Sequence, residues 1–181
     1  MLRTIEQPAD LSGAALSEFK DWLGITRPDE DAQLIDLLAS SVAMCEAFTG
    51  QTPLEQTVEE HLPVTKGRHA LTSQPVQQLL NAETVDFFGA RASIAGQGHG
   101  FELDRNGVAL ADLKSDLVGE YLAVQVRVGI ASDWQSVPKP LRQGIIRLAS
   151  HHYSDRDRGN PSTTPASVTA LWRPWRLVRV A

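Results

Sequence analysis

The strongest constraint on the fold is a long amphipathic pattern between residues 29 and 49. Apolar side chains recur there every three or four positions, which is the spacing of one helical face. They are Leu34 or Ile35, Leu38, Val42, Cys45 and Phe48. Acidic residues from Asp29 to Asp31 suit the positive end of a helix dipole, and Gly50 ends the pattern. The sequence therefore predicts a helix over 29–49 that presents one face to a core.

Two further stretches show helical spacing. One predicts a helix over 14–23 that ends at Gly24. The other predicts a helix over 138–155, because prolines at its start fit a first helical turn and an apolar stripe follows. Gly144 inside this helix costs about 1 kcal/mol relative to alanine. It either marks close approach of another backbone or is simply tolerated.

Residues 52–130 have a different character. Pro, Gly and Asn recur between short β-rich runs, which is typical of strands joined by turns. Asn106-Gly107 is a hairpin signal. The strand candidates are Thr57–Val64, Ala70–Leu71, Val76–Phe88, Gly100–Leu103, Val108–Leu110 and Tyr121–Ile130, the last with Leu122, Val124, Val126 and Val128 on one face. We therefore predict an α+β protein in which a small helical body holds an inserted antiparallel β-sheet.

The composition excludes several classes of protein. With 42% hydrophobic and 22% charged residues, the chain is typical of a soluble domain with a core. Its single cysteine, Cys45, excludes an internal disulfide and a multi-cysteine zinc site and favours a reducing cytoplasm. No apolar run approaches the roughly 20 residues that span a bilayer, and the N-terminus lacks a signal-peptide pattern. The net charge of −5 argues against extensive wrapping of nucleic acid.

Three polar clusters resemble sites but have simpler explanations. The adjacent His151 and His152 point about 100° apart on a helix, so they cannot chelate one metal ion together. The stretch Gly96–Gly100 lacks the Lys-Ser/Thr of a phosphate-binding loop and is expected to form a loop tip. Glu59 and Glu60 would point to opposite faces of a strand, which separates them. We therefore predict no catalytic residues, no metal site, no cofactor and no enzymatic activity.

The C-terminal segment carries the remaining functional signal. A polar loop over 159–165 precedes it, and arginines then alternate with large apolar residues. The candidates are Leu171, Trp172, Arg173, Pro174, Trp175, Arg176 and Arg179. Trp and Arg are enriched in interface hot spots, so one interpretation is docking on another protein. The alternatives are packing of the tryptophans into the chain's own core, and nucleic-acid binding through arginines and stacked aromatics.

Several of these motifs occur together in one known family. The long helix ends Glu46-Ala47-Phe48-Thr49-Gly50, the third helix opens Val137-Pro138-Lys139-Pro140-Leu141-Arg142-Gln143, and the last apolar run is Leu171-Trp172-Arg173-Pro174-Trp175-Arg176. This pattern resembles the head–tail connector (adaptor) family of long-tailed bacteriophages, with relatives in defective prophages and gene transfer agents. The resemblance covers nearly the whole chain, and the middle sheet is matched by layout rather than by residues.

The resemblance implies a structural ring of usually about twelve copies, made in the bacterial cytoplasm and placed under the portal of a virion or virion-like particle. The ring would extend the DNA channel without sequence-specific binding and join the head to stopper or tail-completion proteins, with no membrane involved. The implied organisation is a connector domain over 1–158, followed by a flexible loop and an extended docking tail over 159–181.

The portal contacts implied by the resemblance are the tail candidates, from Leu171 to Arg179. The alternative function is a nucleic-acid-binding accessory protein that uses the same tail.

Overall fold

A computed structural model describes residues 2–94, 99–104, 107–155 and 164–177. The chain forms two compact units. A β unit contains Met1–Pro8 and Glu55–Gly129, and a helical unit contains Ala9–Leu54 and Ile130–Ala181. The chain therefore passes between the units three times, and each unit is built from separate stretches of sequence.

Some predicted features lie outside the described residues. These are Gly96-Gln97-Gly98 of the predicted loop tip, Asn106 of the predicted hairpin turn, residues 159–163 of the polar loop, and Arg179.

Four α-helices form the described part of the helical unit. They are α1 (Ala14–Leu23), α2 (Asp31–Thr49), α3 (Lys139–Asp155) and α4 (Ala166–Trp172), with a 3-10 turn over Trp134–Ser136 before α3. The first three confirm the predicted helices to within two residues at each end. Helix α4 falls in the segment that was predicted to be extended.

One apolar cluster fills the helical unit, and all four helices contribute to it. Its buried members include Phe19, Leu34, Leu38, Cys45, Leu141, Ile145, Leu148, Val168 and Trp172. Fully burying a side chain of this size stabilises the fold by about 1.5–3 kcal/mol. The face predicted for α2 is the face that packs: Leu34, Leu38 and Cys45 are buried, and Val42 and Phe48 are partly buried against the same cluster.

Helix α2 ends where the sequence predicted. Gly50 has φ +73°, in the left-handed region that costs glycine little, and its amide donates to the Glu46 carbonyl at 2.8 Å.

The expectation that no segment suits a membrane span needs a correction at α2. By length and composition alone, its 19 residues with a mean hydropathy of 1.2 would suffice to cross a membrane. Its apolar stripe is part of the helical core, however, and Leu34, Leu38 and Cys45 are fully buried there. We therefore interpret α2 as a core helix.

Eight strands form two antiparallel sheets in the described part of the β unit. They are β1 (Arg3–Gln7), β2 (Gln56–Leu62), β3 (Gly67–Ala70), β4 (Val76–Val85), β5 (Arg91–Ser93), β6 (Gly100–Leu103), β7 (Ala109–Leu113) and β8 (Tyr121–Val128). The larger sheet has the order β1-β2-β8-β4-β5, and the smaller has the order β3-β7-β6. The α+β class is confirmed. The inserted segment contributes strands to two sheets, and the larger sheet also includes the N-terminal strand β1.

Both sheets contribute to one core. Strand β8 buries Leu122, Val124, Val126 and Val128, the four residues predicted to share a face. The other members include Val58 and Leu62 of β2, and Ala109, Ala111 and Leu113 of β7. The alternation of apolar residues along β8 thus predicted which face of the strand packs into the core.

The strands on either side of Asp104–Gly107, β6 and β7, pair antiparallel, as the predicted hairpin requires. The Asp104 side chain accepts a hydrogen bond from the Val108 amide at 2.8 Å, and the Asp104 amide donates to the Val108 carbonyl at 2.9 Å. Strands β1 and β5 were not predicted.

Candidate docking site

The described part of the C-terminal segment is folded onto the helical unit. Pro165 precedes α4 and supplies the carbonyl that accepts from the Val168 amide at 3.0 Å. After Trp172 the chain makes a 3-10 turn over Arg173–Trp175. Pro174 has no amide hydrogen and cannot continue the α-helical ladder, which explains why α4 ends here.

Trp172 is a core residue, with 1% of its surface exposed. Its indole ring lies against the backbone of Gly144 in α3: a Cβ added to Gly144 would be 2.1 Å from Trp172 Nε1. The indole Nε1 donates to the Leu141 carbonyl at 3.3 Å, and the ring centroid is 6.0 Å from that of Phe48. The proposed docking role of Trp172 is therefore corrected to packing, and Gly144 is the residue that makes room for it.

The residues after Trp172 are fastened to the end of α2. The Gln51 side chain donates to the Trp175 carbonyl, and the Leu177 amide donates to the Thr49 carbonyl at 2.8 Å. Trp175 itself is half-buried against the helical core. This part of the predicted tail is thus held in place by backbone and side-chain contacts.

Three candidate residues remain exposed, and we call them the arginine edge: Arg173, Pro174 and Arg176. The Arg176 guanidinium lies 5.8 Å from the centroid of the Phe48 ring, a cation–π distance that orients the side chain. Leu171 is partly buried against the core. Among the described candidates, Leu171 to Arg176, the structure therefore leaves only the arginine edge exposed.

The two adjacent histidines of α3, His151 and His152, have contacts typical of residues that support the fold. His151 Nε2 lies 3.4 Å from Asp155 Oδ2, one helical turn away. Burial lowers the pKa of His152, and the nearby His151 adds to this effect. In the described ranges, no group of three or more metal-ligating side chains converges.

Glu59 and Glu60 point to opposite faces of β2, as the alternation predicted. Glu59 accepts two hydrogen bonds from the Arg91 guanidinium, at 2.7 and 3.0 Å, and these lower the pKa of its carboxyl. Its Oε1 also lies 3.2 Å from His61 Nε2.

Glu60 is fully buried. Its carboxylate accepts from the Thr72 amide at 2.8 Å, from the Thr72 hydroxyl at 3.0 Å and from the Ser73 amide at 2.6 Å. Both carboxylates thus have donors that fix neighbouring chain segments.

One exposed feature was missed in the sequence. Phe87 and Phe88 were assigned to the end of a strand, but β4 ends at Val85 and the two phenylalanines lie in the turn before β5. The available signal was the run Asp86-Phe87-Phe88-Gly89, because Asp and Gly flank turns and adjacent apolar residues break strand alternation.

The chain was compared with known proteins. No family model matches it, and no curated protein matches it. Solved structures do match. A chain from the neck of an empty gene transfer agent particle, computed with C6 symmetry, is 22% identical with a TM-score of 0.81.

A chain from the neck of the native particle, computed with C12 symmetry, is 23% identical with a TM-score of 0.78. A chain from the virion of the native particle is 24% identical with a TM-score of 0.79. Each alignment covers 100% of this chain and 98% of the other. The protein therefore has the fold of chains that belong to the neck of a gene transfer agent particle.

Proposed function

We propose that this protein is a structural component of the neck of a phage-like particle, a head–tail connector that forms a ring under the portal. The observation that carries this proposal is the fold shared with neck chains over the full length of the sequence. The C12 symmetry of one of those necks supports a ring of about twelve copies. The proposed location is the head–tail junction of a virion or virion-like particle.

We propose that the arginine edge, with Arg179 further along the chain, contacts the portal. Arg173 and Arg176 are exposed, and the turn that carries them is fixed by the burial of Trp172. A guanidinium group binds carboxylates in a bidentate geometry, which suits an acidic surface on a partner protein. Because the turn is already ordered, docking costs less conformational entropy than ordering a free tail would.

The proposed ring lets DNA pass without sequence-specific binding. The net charge of −5 disfavours tight contact with phosphates. The alternative of a nucleic-acid-binding protein uses the arginines of the tail together with stacked aromatic side chains. Trp172 is buried and Trp175 is half-buried, which counts against that alternative.

We propose a non-enzymatic role. The polar clusters that first suggested chemistry fix parts of the fold: Glu60 binds the turn after β3, and Glu59 binds Arg91. Stopper or tail-completion proteins on the far side of the ring complete the proposed set of partners.

The test is electron microscopy of particles from cells that encode this chain. Density for a ring of this subunit between head and tail is expected, and deletion of its gene should leave DNA-filled heads without tails. Particles that keep normal tails after the deletion would refute the proposal.

The docking surface is tested by the double charge reversal Arg173→Glu and Arg176→Glu, which should release the chain from the portal while its unfolding free energy falls by no more than about 1 kcal/mol, from the lost contact of Arg176 with Phe48. The matched control reverses two exposed charges on α3, Lys139→Glu and Arg147→Glu. Normal attachment of the first variant, or equal loss in both, would contradict a specific role of the arginine edge.

A further inference from the structure

The turn that carries the arginine edge is anchored on both sides. On its N-terminal side, Trp172 is buried in the helical core. On its C-terminal side, two hydrogen bonds reach the end of α2. The Gln51 side chain donates to the Trp175 carbonyl, and the Leu177 amide donates to the Thr49 carbonyl at 2.8 Å. We call these two hydrogen bonds the clamp.

The clamp encloses Arg176. Its two attachment points on the turn are the Trp175 carbonyl and the Leu177 amide, which lie on either side of this residue. Packing of Trp172 and Trp175 holds the turn against the core, but apolar contact is non-directional. Hydrogen bonds on both sides of Arg176 instead fix the direction of its backbone. The Arg176 guanidinium then lies 5.8 Å from the centroid of the Phe48 ring.

Gln51, the side-chain donor of the clamp, is itself held in place. It follows Gly50, whose φ of +73° terminates α2. The Gln51 amide donates to Thr49 Oγ1 at 3.2 Å, and that hydroxyl donates to the Cys45 carbonyl at 2.7 Å. Thr49 is fully buried. The donor thus projects from a fixed helix end, so its position does not depend on the turn that it holds.

The clamp can be removed without opening the core. Gln51 is only partly buried and lies outside the apolar cluster that fills the helical unit. Trp172 is held separately, by the space at Gly144 and by its own hydrogen bond to the Leu141 carbonyl at 3.3 Å. Loss of the Gln51 hydrogen bond therefore acts on the turn after Trp172 and leaves the packing before it in place.

The arginines need a fixed direction to bind as proposed. Arg173 and Arg176 are exposed, and neither forms an ion pair with another described residue. A bidentate contact between a guanidinium and a carboxylate has a specific geometry, so the groups that orient the guanidinium contribute to binding without touching the partner. Only chains in which the turn is in place can bind, and the apparent dissociation constant rises as their fraction falls.

We propose that Gln51 is a positioning residue for portal docking, and that it acts by clamping the turn of the arginine edge to the end of α2. This inference rests on the proposed function and names the residue that orients its docking surface. One neutral hydrogen bond changes an equilibrium by about 2–12-fold, so loss of the clamp should weaken the portal contact of each copy by a similar factor. A ring of about twelve copies multiplies the effect over its contacts.

The variant Gln51→Met removes the donor and keeps a side chain of similar length. Methionine has no N–H group, so it cannot donate to the Trp175 carbonyl. The matched control is Gln33→Met, the same substitution at an exposed position in the first turn of α2. Neither variant changes the net charge, so a difference between them reports the hydrogen bond.

Limited trypsin digestion of the purified full chain measures the turn directly. Trypsin cleaves after Arg176, whereas Pro174 blocks cleavage after Arg173. Cleavage requires the turn to open, and its rate follows the population of the open form. Mass spectrometry should show cleavage of the Arg176–Leu177 bond about 2–12-fold faster in Gln51→Met than in wild type or Gln33→Met.

Binding of the full chain to the purified portal protein measures the consequence. Gln51→Met should raise the dissociation constant by about 2–12-fold, and Gln33→Met should leave it unchanged. In an Arg176→Met background, Gln51→Met should have a smaller effect, because the group that it positions is gone. An equal loss in both backgrounds is the result of general destabilisation and would overturn the proposal.

The outcomes also separate this inference from the proposed function. If wild type binds the portal and cleavage after Arg176 is the same in all three chains, Gln51 does not hold the turn, and the inference is wrong while the portal contact stands. Faster cleavage of Gln51→Met without weaker portal binding would show that docking does not use the position of the turn, which also overturns the inference. A wild-type chain that does not bind the portal would refute the portal contact itself, and the inference with it.

Discussion

Replacement of Gly144 by alanine tests how the helical core is closed. A Cβ at this position would lie 2.1 Å from Trp172 Nε1, 2.7 Å from Cε2 and 2.8 Å from Cδ1. Separations below 3.0 Å are not tolerated, so either α4 or the indole ring must move. The affected side chain is fully packed, since Trp172 is 1% exposed.

The expected change in the unfolding free energy combines two costs and one gain. Overpacking a core costs about 1–3 kcal/mol. Displacing the indole also weakens its hydrogen bond to the Leu141 carbonyl, worth about 1 kcal/mol. Alanine returns about 1 kcal/mol through its higher helix propensity. The net result is a loss of about 1–3 kcal/mol, or roughly 2–12 °C in Tm at about 2–4 °C per kcal/mol for a chain of this size.

The assay is urea denaturation followed by far-UV circular dichroism. Arg147→Ala on the exposed face of the same helix is the matched control and should change the unfolding free energy by no more than about 0.5 kcal/mol. In a Trp172→Phe background, Gly144→Ala should cost at least about 1 kcal/mol less, because phenylalanine lacks the Nε1 atom that clashes. Stabilisation by Gly144→Ala in the wild-type background would refute the packing of Trp172 against this position.

Two further predictions concern the two carboxylates of β2 that lie on opposite faces, Glu59 and Glu60. Glu60→Gln should destabilise the protein by about 1–3 kcal/mol in urea, because an amide group would then face three donors that now bind a buried carboxylate; Glu102→Gln, at an exposed ion pair, should change stability by less than about 1 kcal/mol. For Glu59, the pKa is lowered by Arg91, so the stabilisation from this pair is present above the ordinary pKa of 4.5 and is lost as pH falls below it. The stability difference between wild type and Arg91→Met should therefore shrink between pH 7 and pH 3, and a constant difference would contradict the pairing.

The helices α1, α2 and α3 could be predicted because each combines a 3.6-residue apolar period with a clear start or stop. Helix α4 was harder. Val168, Leu171 and Trp172 have helical spacing, but the helix is only 7 residues long and follows a polar loop. Trp172 is buried because Gly144 on α3 leaves space for its ring. Gly144 is distant from Trp172 in the sequence, so the residues around Trp172 do not show that this space exists.

The strands that were missed are the two edges of the larger sheet. β1 (Arg3–Gln7) is mostly exposed and lacks the alternation of a half-buried strand, and β5 has three residues, all exposed. The docking role of the candidate residues stays a prediction, and the arginine edge is the exposed part of the candidates from Leu171 to Arg176. Which of the candidate residues are buried and which are exposed is set by the tertiary packing, which the sequence pattern does not show.

The threading of the chain between two units also sets the order of folding during synthesis. Strands β2 to β8 follow one another without interruption, so most of the β unit is complete before α3 is made. The face of α2 that α1 leaves open is instead covered by α3, about 90 residues later, or roughly 5–18 s at a ribosome speed of 5–20 residues per second. That part of its apolar face stays uncovered during this interval. Trp172 joins the core last, and the same step positions the arginine edge.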